Sequence, residues 1–136
     1  METYQLEKDI TVFCIRAKTF PDGILEAHQT LHALTPFSLK RMYFGISRPE
    51  NGNIVYRAGA AELNAGEYSK HHLETFVLKH GTYVFKDVVD FRKDIPSLDR
   101  AFKELLTTPG IDPQGCCVEW YTDDRTCRCM VRLEKK

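Results

Sequence analysis

The sequence lacks an excess of charge of either sign, and it lacks any long apolar run. Nineteen Lys and Arg residues balance nineteen Asp and Glu residues, so no overall positive field would attract nucleic acid or an anionic membrane surface. No segment approaches the ~20 apolar residues of a membrane span, and acidic residues interrupt the N-terminal stretch where a secretory signal would be apolar. We therefore expect a cytoplasmic protein that binds neither nucleic acid directly nor a membrane.

Standard catalytic and metal-binding motifs are also missing from the sequence. The chain has no Gly-rich phosphate loop and no Gly-x-Ser-x-Gly elbow. Its five cysteines are an odd number, which favours reduced thiols over a disulfide framework. Cys127-x-Cys129 lacks the paired C-x-x-C spacing of zinc sites, and His28 and His32 lack a third partner. The sequence thus predicts no metal and no cofactor.

What the chain does have is the length and composition of one globular domain, with 136 residues of which 43% are hydrophobic. In the first half, apolar and β-branched runs predict strands, and an apolar stripe with spacings of three and four predicts a helix. The predicted elements of this half are a strand over 6–18, a helix over 24–34 and strands over 41–47 and 54–62.

The second half repeats this order of elements. It has a predicted strand over 74–79, a helix over 95–106 and strands over 117–122 and 126–134. We interpret 81–94 as a long loop, and a loop that holds three aromatic residues usually covers another feature of the molecule.

These elements predict an α+β fold of duplicated β-α-β-β units in a single domain, 1–136, with repeat halves of about 1–64 and 65–136. The units would form one antiparallel sheet with two helices on one face and a ligand cleft on the other. A chance succession of α+β elements is the alternative.

Strand alternation draws attention to Glu119 and Tyr121, which share one side of a strand opposite Val118 and Trp120. If Val118 and Trp120 join the cysteines of the next strand beneath the helices, Glu119 and Tyr121 point toward the open face and its cleft. A carboxylate there would attract a cation, and each aromatic wall would add about 0.5–2 kcal/mol of cation–π attraction. It could equally act as a general acid or base, or be a solvated glutamate on an exposed strand.

The run Val118-Glu119-Trp120-Tyr121, followed by an acidic turn and the strand over 128–133, resembles the closing hairpin of the gyrase-inhibitory-protein-like (GyrI-like) effector-binding domains. The upstream stretches Ala65-Gly66-Glu67-Tyr68 and Leu78-Lys79-His80-Gly81-Thr82-Tyr83 are similar to the small-Gly-x-Tyr and His-Gly-x-Tyr stretches of that family, in the same order. The resemblance spans nearly the whole chain, and its second half is the more specific part.

The resemblance implies a multidrug-binding or transcription-effector module, either standing alone or belonging to AraC-type regulators. By resemblance, Glu119 binds the positive charge of an aromatic or amphipathic cation. Counted back from the hairpin turns, Tyr43 holds the place in the first repeat that Glu119 holds in the second. The aromatic walls of the predicted site are Tyr121, Tyr83, Phe85, Tyr68 and Tyr43.

The sequence leaves three functions open. The first is the binding of cationic, largely apolar small molecules. The second is a small hydrolase with Glu119 as general base and Tyr121 as its hydrogen-bonding partner, since some relatives hydrolyse small compounds with a cleft glutamate and a tyrosine. The third is an interaction or inhibitor module that docks on a larger protein. The chain has no helix-turn-helix segment, so any role in transcription would require a protein partner.

Overall fold

The computed structural model describes residues 2–67 and 72–134. The chain divides into two compact units, unit 1 with Met1–Lys8 and Lys79–Lys136 and unit 2 with Asp9–Leu78. Each unit contains an antiparallel sheet and one α-helix, which confirms the predicted α+β class. Within the described ranges, no helix is both long and apolar enough to cross a membrane.

Unit 2 contains four strands in the order β3-β4-β2-β5, all antiparallel. Its helix buries Ala27 and Leu31, and it ends at Thr35, whose amide and hydroxyl both donate to the Leu31 carbonyl. The elements are β2 (Ile10–Arg16), α1 (Ile24–Leu34), β3 (Tyr43–Glu50), β4 (Asn53–Ala61) and β5 (Glu74–Leu78).

Unit 1 also contains four strands, in the order β1-β6-β8-β7. Pro96 begins its helix, a position where the missing amide hydrogen of proline carries no penalty. The elements are β1 (Glu2–Leu6), β6 (Gly81–Val89), a 3-10 turn (Phe91–Lys93), α2 (Pro96–Leu105), β7 (Cys117–Tyr121) and β8 (Thr126–Arg132). The buried face of α2 packs on one face of the sheet, and the core includes Leu98, Phe102, Leu105, Val84, Cys127, Cys129 and Val131.

The ladders of the two units have the same register. In unit 1 they begin with Leu6↔Gly81, Tyr83↔Arg132 and Cys117↔Val131. In unit 2 they begin with Leu78↔Ile10, Val12↔Ala61 and Tyr43↔Ala60. When the two sets of ladders are superposed, β1 corresponds to β5, β6 to β2, β7 to β3 and β8 to β4. Each ladder position in one unit therefore has an equivalent position in the other.

Two sequence predictions about the strands are wrong. The predicted strand over 6–18 is two strands, because the polar residues 7–9 end β1 before β2 begins. The predicted loop over 81–94 is mostly β6, in which Tyr83 and Phe85 alternate with Thr82 and Val84 as strand residues do. Strand β1 precedes unit 2 in the sequence but pairs with β6 of unit 1, whereas β5 pairs with β2 inside the continuous range of unit 2.

Candidate functional site

Strand β7 brings Glu119 and Tyr121 together on the sheet face that carries α2. Glu119 lies directly opposite Cys129 and Tyr121 lies opposite Cys127, and both cysteines belong to the core beneath the helix. Residues directly opposite each other in an antiparallel ladder share a face. The Tyr121 hydroxyl donates a hydrogen bond of 2.5 Å to Oε1 of Glu119.

The prediction that Glu119 and Tyr121 point away from the helix is therefore wrong. It assumed that Val118 and Trp120 join the cysteines of β8 beneath the helix. Val118 instead lies opposite Met130 on the other face of the sheet. Both Val118 and Met130 are 1% exposed, so apolar character alone does not distinguish the two faces of this sheet.

The Glu119 charge acts on two neighbouring thiols, those of Cys117 and Cys127. Burial raises the pKa of the Cys117 thiol to about 11, with the nearby charges of Cys116 and Glu119 adding to the effect. A hydrogen bond with Cys129, burial and the Glu119 charge raise the pKa of Cys127 far above its ordinary value. Cys117 and Cys127 are therefore protonated and neutral at physiological pH, and they offer a polarizable, uncharged wall beside a charged group.

The 3-10 turn supplies an aromatic neighbour to this site. The Phe91 ring lies 5.7 Å from the Tyr121 ring, centroid to centroid, with the planes tilted by 30°. The Phe91 amide donates to the Arg125 carbonyl at the turn between β7 and β8. The turn thus fixes Phe91 against the strand that carries the Glu119–Tyr121 pair, and the arrangement joins a carboxylate, a phenol and an aromatic ring.

Two other predicted wall residues in unit 1 lie on the opposite face from Glu119. Tyr83 and Phe85 share that face with Arg132 and Met130, their ladder partners. Tyr83 is 2% exposed and its hydroxyl donates to the Lys79 carbonyl at 2.6 Å. Tyr68 lies outside the described residues.

Tyr43, the remaining predicted wall residue, belongs to unit 2. Its ring stacks on Phe37 at 5.5 Å and lies 5.0 Å from His32, while its hydroxyl accepts a hydrogen bond from the Ser38 amide. The matched ladders place Tyr43 at the position of Cys117, and Gly45 at the position of Glu119. The correspondence predicted between Tyr43 and Glu119 is therefore wrong by two residues, because counting from the turns ignored the different lengths of the hairpins.

Sequence reasoning missed a second polar cluster in unit 1, on the face opposite Glu119. The guanidinium of Arg128 lies over the rings of Phe85, Tyr4 and Trp120, at 4.0, 5.5 and 5.6 Å from their centroids. Asp87 accepts two hydrogen bonds from it, of 2.8 and 3.1 Å. The three rings come from β1, β6 and β7, so only the pairing of distant strands could have indicated the cluster.

Among residues 2–67 and 72–134, no group of three or more His, Cys, Asp or Glu side chains could hold a metal ion. Within the same ranges, none of the five cysteines forms a disulfide.

Comparison with known proteins gives a shared fold. No known family profile matches the chain, and no curated protein matches it. An integron cassette protein from the mobile metagenome of Vibrio cholerae is similar in structure, with a TM-score of 0.68 and 11% identity over 98% of this chain and 95% of the other. A hydrolase from Listeria innocua aligns with a TM-score of 0.55 and 12% identity over 98% of this chain and 90% of the other. At such identities the likeness concerns the fold alone.

Proposed function

We propose that this chain is a small-molecule-binding protein whose site in unit 1, built on Glu119 and Tyr121, binds the positive charge of an aromatic or amphipathic cation. The observation that carries the proposal is the 2.5 Å hydrogen bond from the Tyr121 hydroxyl to the Glu119 carboxylate. That length is typical of an O–H group bonded to an ionised oxygen. The bond orients the carboxylate in advance, which reduces the ordering penalty when a ligand binds.

The surroundings of the pair suit such a ligand. Glu119 and Tyr121 are both partly buried, so a charge brought to them is screened less by water and salt than on an open surface. The neutral thiol of Cys117 and the ring of Phe91 offer apolar and polarizable contacts beside the carboxylate. A flat cation with an apolar body uses both kinds of contact.

We also infer that the two units are repeats of one β-α-β-β ancestor, as the GyrI-like resemblance implies. The identical strand order and ladder register of the units support this inference. The proposal includes a cytoplasmic effector-binding role. Any part in transcription would then run through a protein partner, since the resemblance covers only the effector domain of the regulators.

Isothermal titration tests the proposal with a cationic dye and a neutral dye of matched shape. Glu119→Gln is expected to weaken binding of the cation by about tenfold or more, because a tenfold loss corresponds to about 1.4 kcal/mol. It should change the affinity for the neutral dye by less than about twofold, since neutral contacts lack the Coulomb attraction to the carboxylate. Tyr121→Phe, which keeps the charge and removes the orienting hydroxyl, serves as the matched control with a smaller loss.

Failure of the native protein to bind any cation of a structurally varied panel would overturn the proposal, and so would an equal loss for both dyes. The second candidate function, hydrolysis, is favoured by the same hydrogen bond, because a general base needs a fixed carboxylate within hydrogen-bond reach. If the native protein hydrolyses a bound compound and Glu119→Gln abolishes this hydrolysis, the function of the site is hydrolysis and not binding alone.

A further inference from the structure

The face of the unit 1 sheet opposite Glu119 carries an aromatic cage, which we define as Tyr4, Phe85 and Trp120. Tyr4 and Trp120 lie 5.6 Å apart with their planes tilted by 52°. Three electron-rich rings around one point favour a cation at that point, because ring faces are negative. In this structure the cation is the chain's own Arg128 guanidinium, 4.0 Å from the Phe85 centroid.

The cage has a carboxylate of its own. Asp87 binds the Arg128 guanidinium through both of its oxygens, in the two-bond geometry that carboxylates form with guanidinium groups. An aromatic cage with an acidic wall has the composition of the sites at which proteins recognise guanidinium and alkylammonium groups. The cage therefore combines three aromatic rings and a carboxylate, as a cation-binding site does, and the Arg128 guanidinium occupies it.

The cage is open to solvent. The side chains of Arg128 and Asp87 are 22% and 38% exposed, so the ion pair lies at the surface and not in the core. Phe85 and Asp87 also border a surface depression of about 310 Å³, which extends to residues of α2 and does not include Tyr4, Trp120 or Arg128. Its lining residues are Glu2, Phe85, Lys86, Asp87, Glu104 and Leu105.

The corresponding arginine of unit 2 is held differently. Arg57 occupies the ladder position of Arg128, since it pairs with Arg16 as Arg128 pairs with Asp87. Its side chain is 3% exposed and bonds to both Glu50 and Glu74. Withdrawing Arg57 would break two ion pairs at once, whereas withdrawing Arg128 would break one, whose carboxylate solvent already reaches.

We propose that the Tyr4–Phe85–Trp120 cage with Asp87 is a second binding site, for small guanidinium and alkylammonium groups, which Arg128 occupies until a ligand displaces it. The site is separate from the Glu119 pair, because it lies on the other face of the sheet. Displacement exchanges one cation for another on the same rings and carboxylate, and Arg128 moves into water. The native protein therefore binds such ligands more weakly than a variant in which the cage is empty.

The test compares native protein, Arg128→Ala and Arg125→Ala with tetramethylammonium as the probe and tert-butanol, a neutral molecule of similar shape, as its control. Trp120 is the only tryptophan of the chain, so its fluorescence reports directly on the cage. Arg128→Ala is expected to bind tetramethylammonium at least about tenfold more tightly than the native protein, because no occupant has to leave. Arg125→Ala removes an exposed arginine of the β7–β8 turn and should behave as the native protein does.

Addition of Asp87→Asn to Arg128→Ala should abolish this gain, and tert-butanol should bind to none of the proteins. Circular dichroism checks the fold of each variant. If Arg128→Ala fails to fold, the Trp120 indole N–H signal of the native protein, titrated with methylguanidinium, gives the second measurement. A folded Arg128→Ala that binds no tetramethylammonium, or an unchanged indole signal in the native protein, would overturn the proposal. Glu119→Gln should leave this site unaffected, which separates its failure from that of the proposed function.

Discussion

Arg57 in unit 2 and Arg128 in unit 1 stand at corresponding ladder positions and differ in what surrounds them. Arg57 is buried in a chain of ion pairs that runs from Arg16 through Glu74, Arg57 and Glu50 to Arg48. Among the described residues, Arg128 is bonded to the carboxylate of Asp87 and lies over three aromatic rings. The arginine at this position therefore forms buried ion pairs in unit 2, and it occupies an accessible cation site in unit 1.

The helix-bearing faces of the two units differ in a similar way. At the positions of Glu119 and Tyr121, unit 2 has Gly45 and Ser47. Ser47 lies opposite Tyr56 of β4, whose hydroxyl lies 2.8 Å from Nε2 of His28. A carboxylate bonded to a phenol is found in unit 1 alone at these positions, which is why the proposed chemistry is assigned to that unit.

The largest expected effect follows from the burial of Arg57. Arg57→Met is expected to lower the free energy of unfolding by about 3 kcal/mol or more, because a buried guanidinium loses its hydrogen bonds to two carboxylates and each bond between charged groups contributes about 1.5–3 kcal/mol. Arg128→Met, at the corresponding position, should lose about 1 kcal/mol, as expected for an ion pair that water reaches. Urea unfolding followed by circular dichroism measures both. Equal losses would contradict the difference in role that the structure indicates for these two arginines.

The sequence was sufficient to predict the parts of this fold that depend on local pattern. The apolar stripe from Ile24 to Leu34 lies in helix α1, as predicted, and the helix over 95–106 differs from α2 by one residue at each end. Both follow from an apolar stripe with helical spacing and from proline or a turn at the boundary. The pairing of Glu119 with Tyr121 on one side of β7 is local in the same sense, and alternation predicted it.

What the sequence could not predict depends on contacts between distant strands. Alternation divides β7 into two sets of residues, but it does not say which set faces α2. Here both sets include residues that are at least partly buried, as Val118 and Cys117 illustrate. The cage around Arg128 requires β1 to pair with β6, and the paired residues Thr3 and Val84 are 81 residues apart in the sequence. No pattern within either strand indicates that pairing.

The second prediction concerns Gly59 of β4, which corresponds to the buried Met130 of β8. A Cβ atom at Gly59 would lie 2.4 Å from Cγ1 of Val12, a distance that forces a shift in the packing. Gly59→Ala is expected to destabilise the protein by about 1–3 kcal/mol, as overpacking of a core does.

A double-mutant cycle with Val12→Ala sharpens this test. Once the Val12 methyl groups are removed, the added methyl at residue 59 has space, so Gly59→Ala should cost less in that background than in the native protein. The expected coupling between the two substitutions is about 0.5–3 kcal/mol in the stabilising direction. If the losses of unfolding free energy are additive, the close approach to Val12 is not the reason that unit 2 has glycine where unit 1 has methionine.

The smallest expected effect is a difference in acid titration. Hydrogen bonds from Arg57 and Arg48 lower the pKa of Glu50 to about 2, and a two-bond pair with Arg41 lowers the pKa of Glu67 to about 2. A carboxyl whose pKa is lowered by folding contributes stability that is fully present above its ordinary pKa of 4.5 and is lost as the pH falls toward about 2. In unit 1, the bond with exposed Arg125 lowers the pKa of Asp90, and the Arg125 and Thr126 amides lower that of Asp123.

The protein takes up protons when it unfolds near pH 3, because Glu50 and Glu67 are ionised when folded and protonated when unfolded. Glu50→Gln and Glu67→Gln should each lower that number of protons by about one. The slope of stability against pH between pH 4.5 and 2 measures this number. Thr3→Ala, at an exposed and uncharged position in unit 1, serves as the control. An unchanged slope in both unit 2 variants would mean that the arginines do not stabilise the ionised forms of Glu50 and Glu67 more than water does. The difference between the two units would then rest on Arg57 and Arg128 alone.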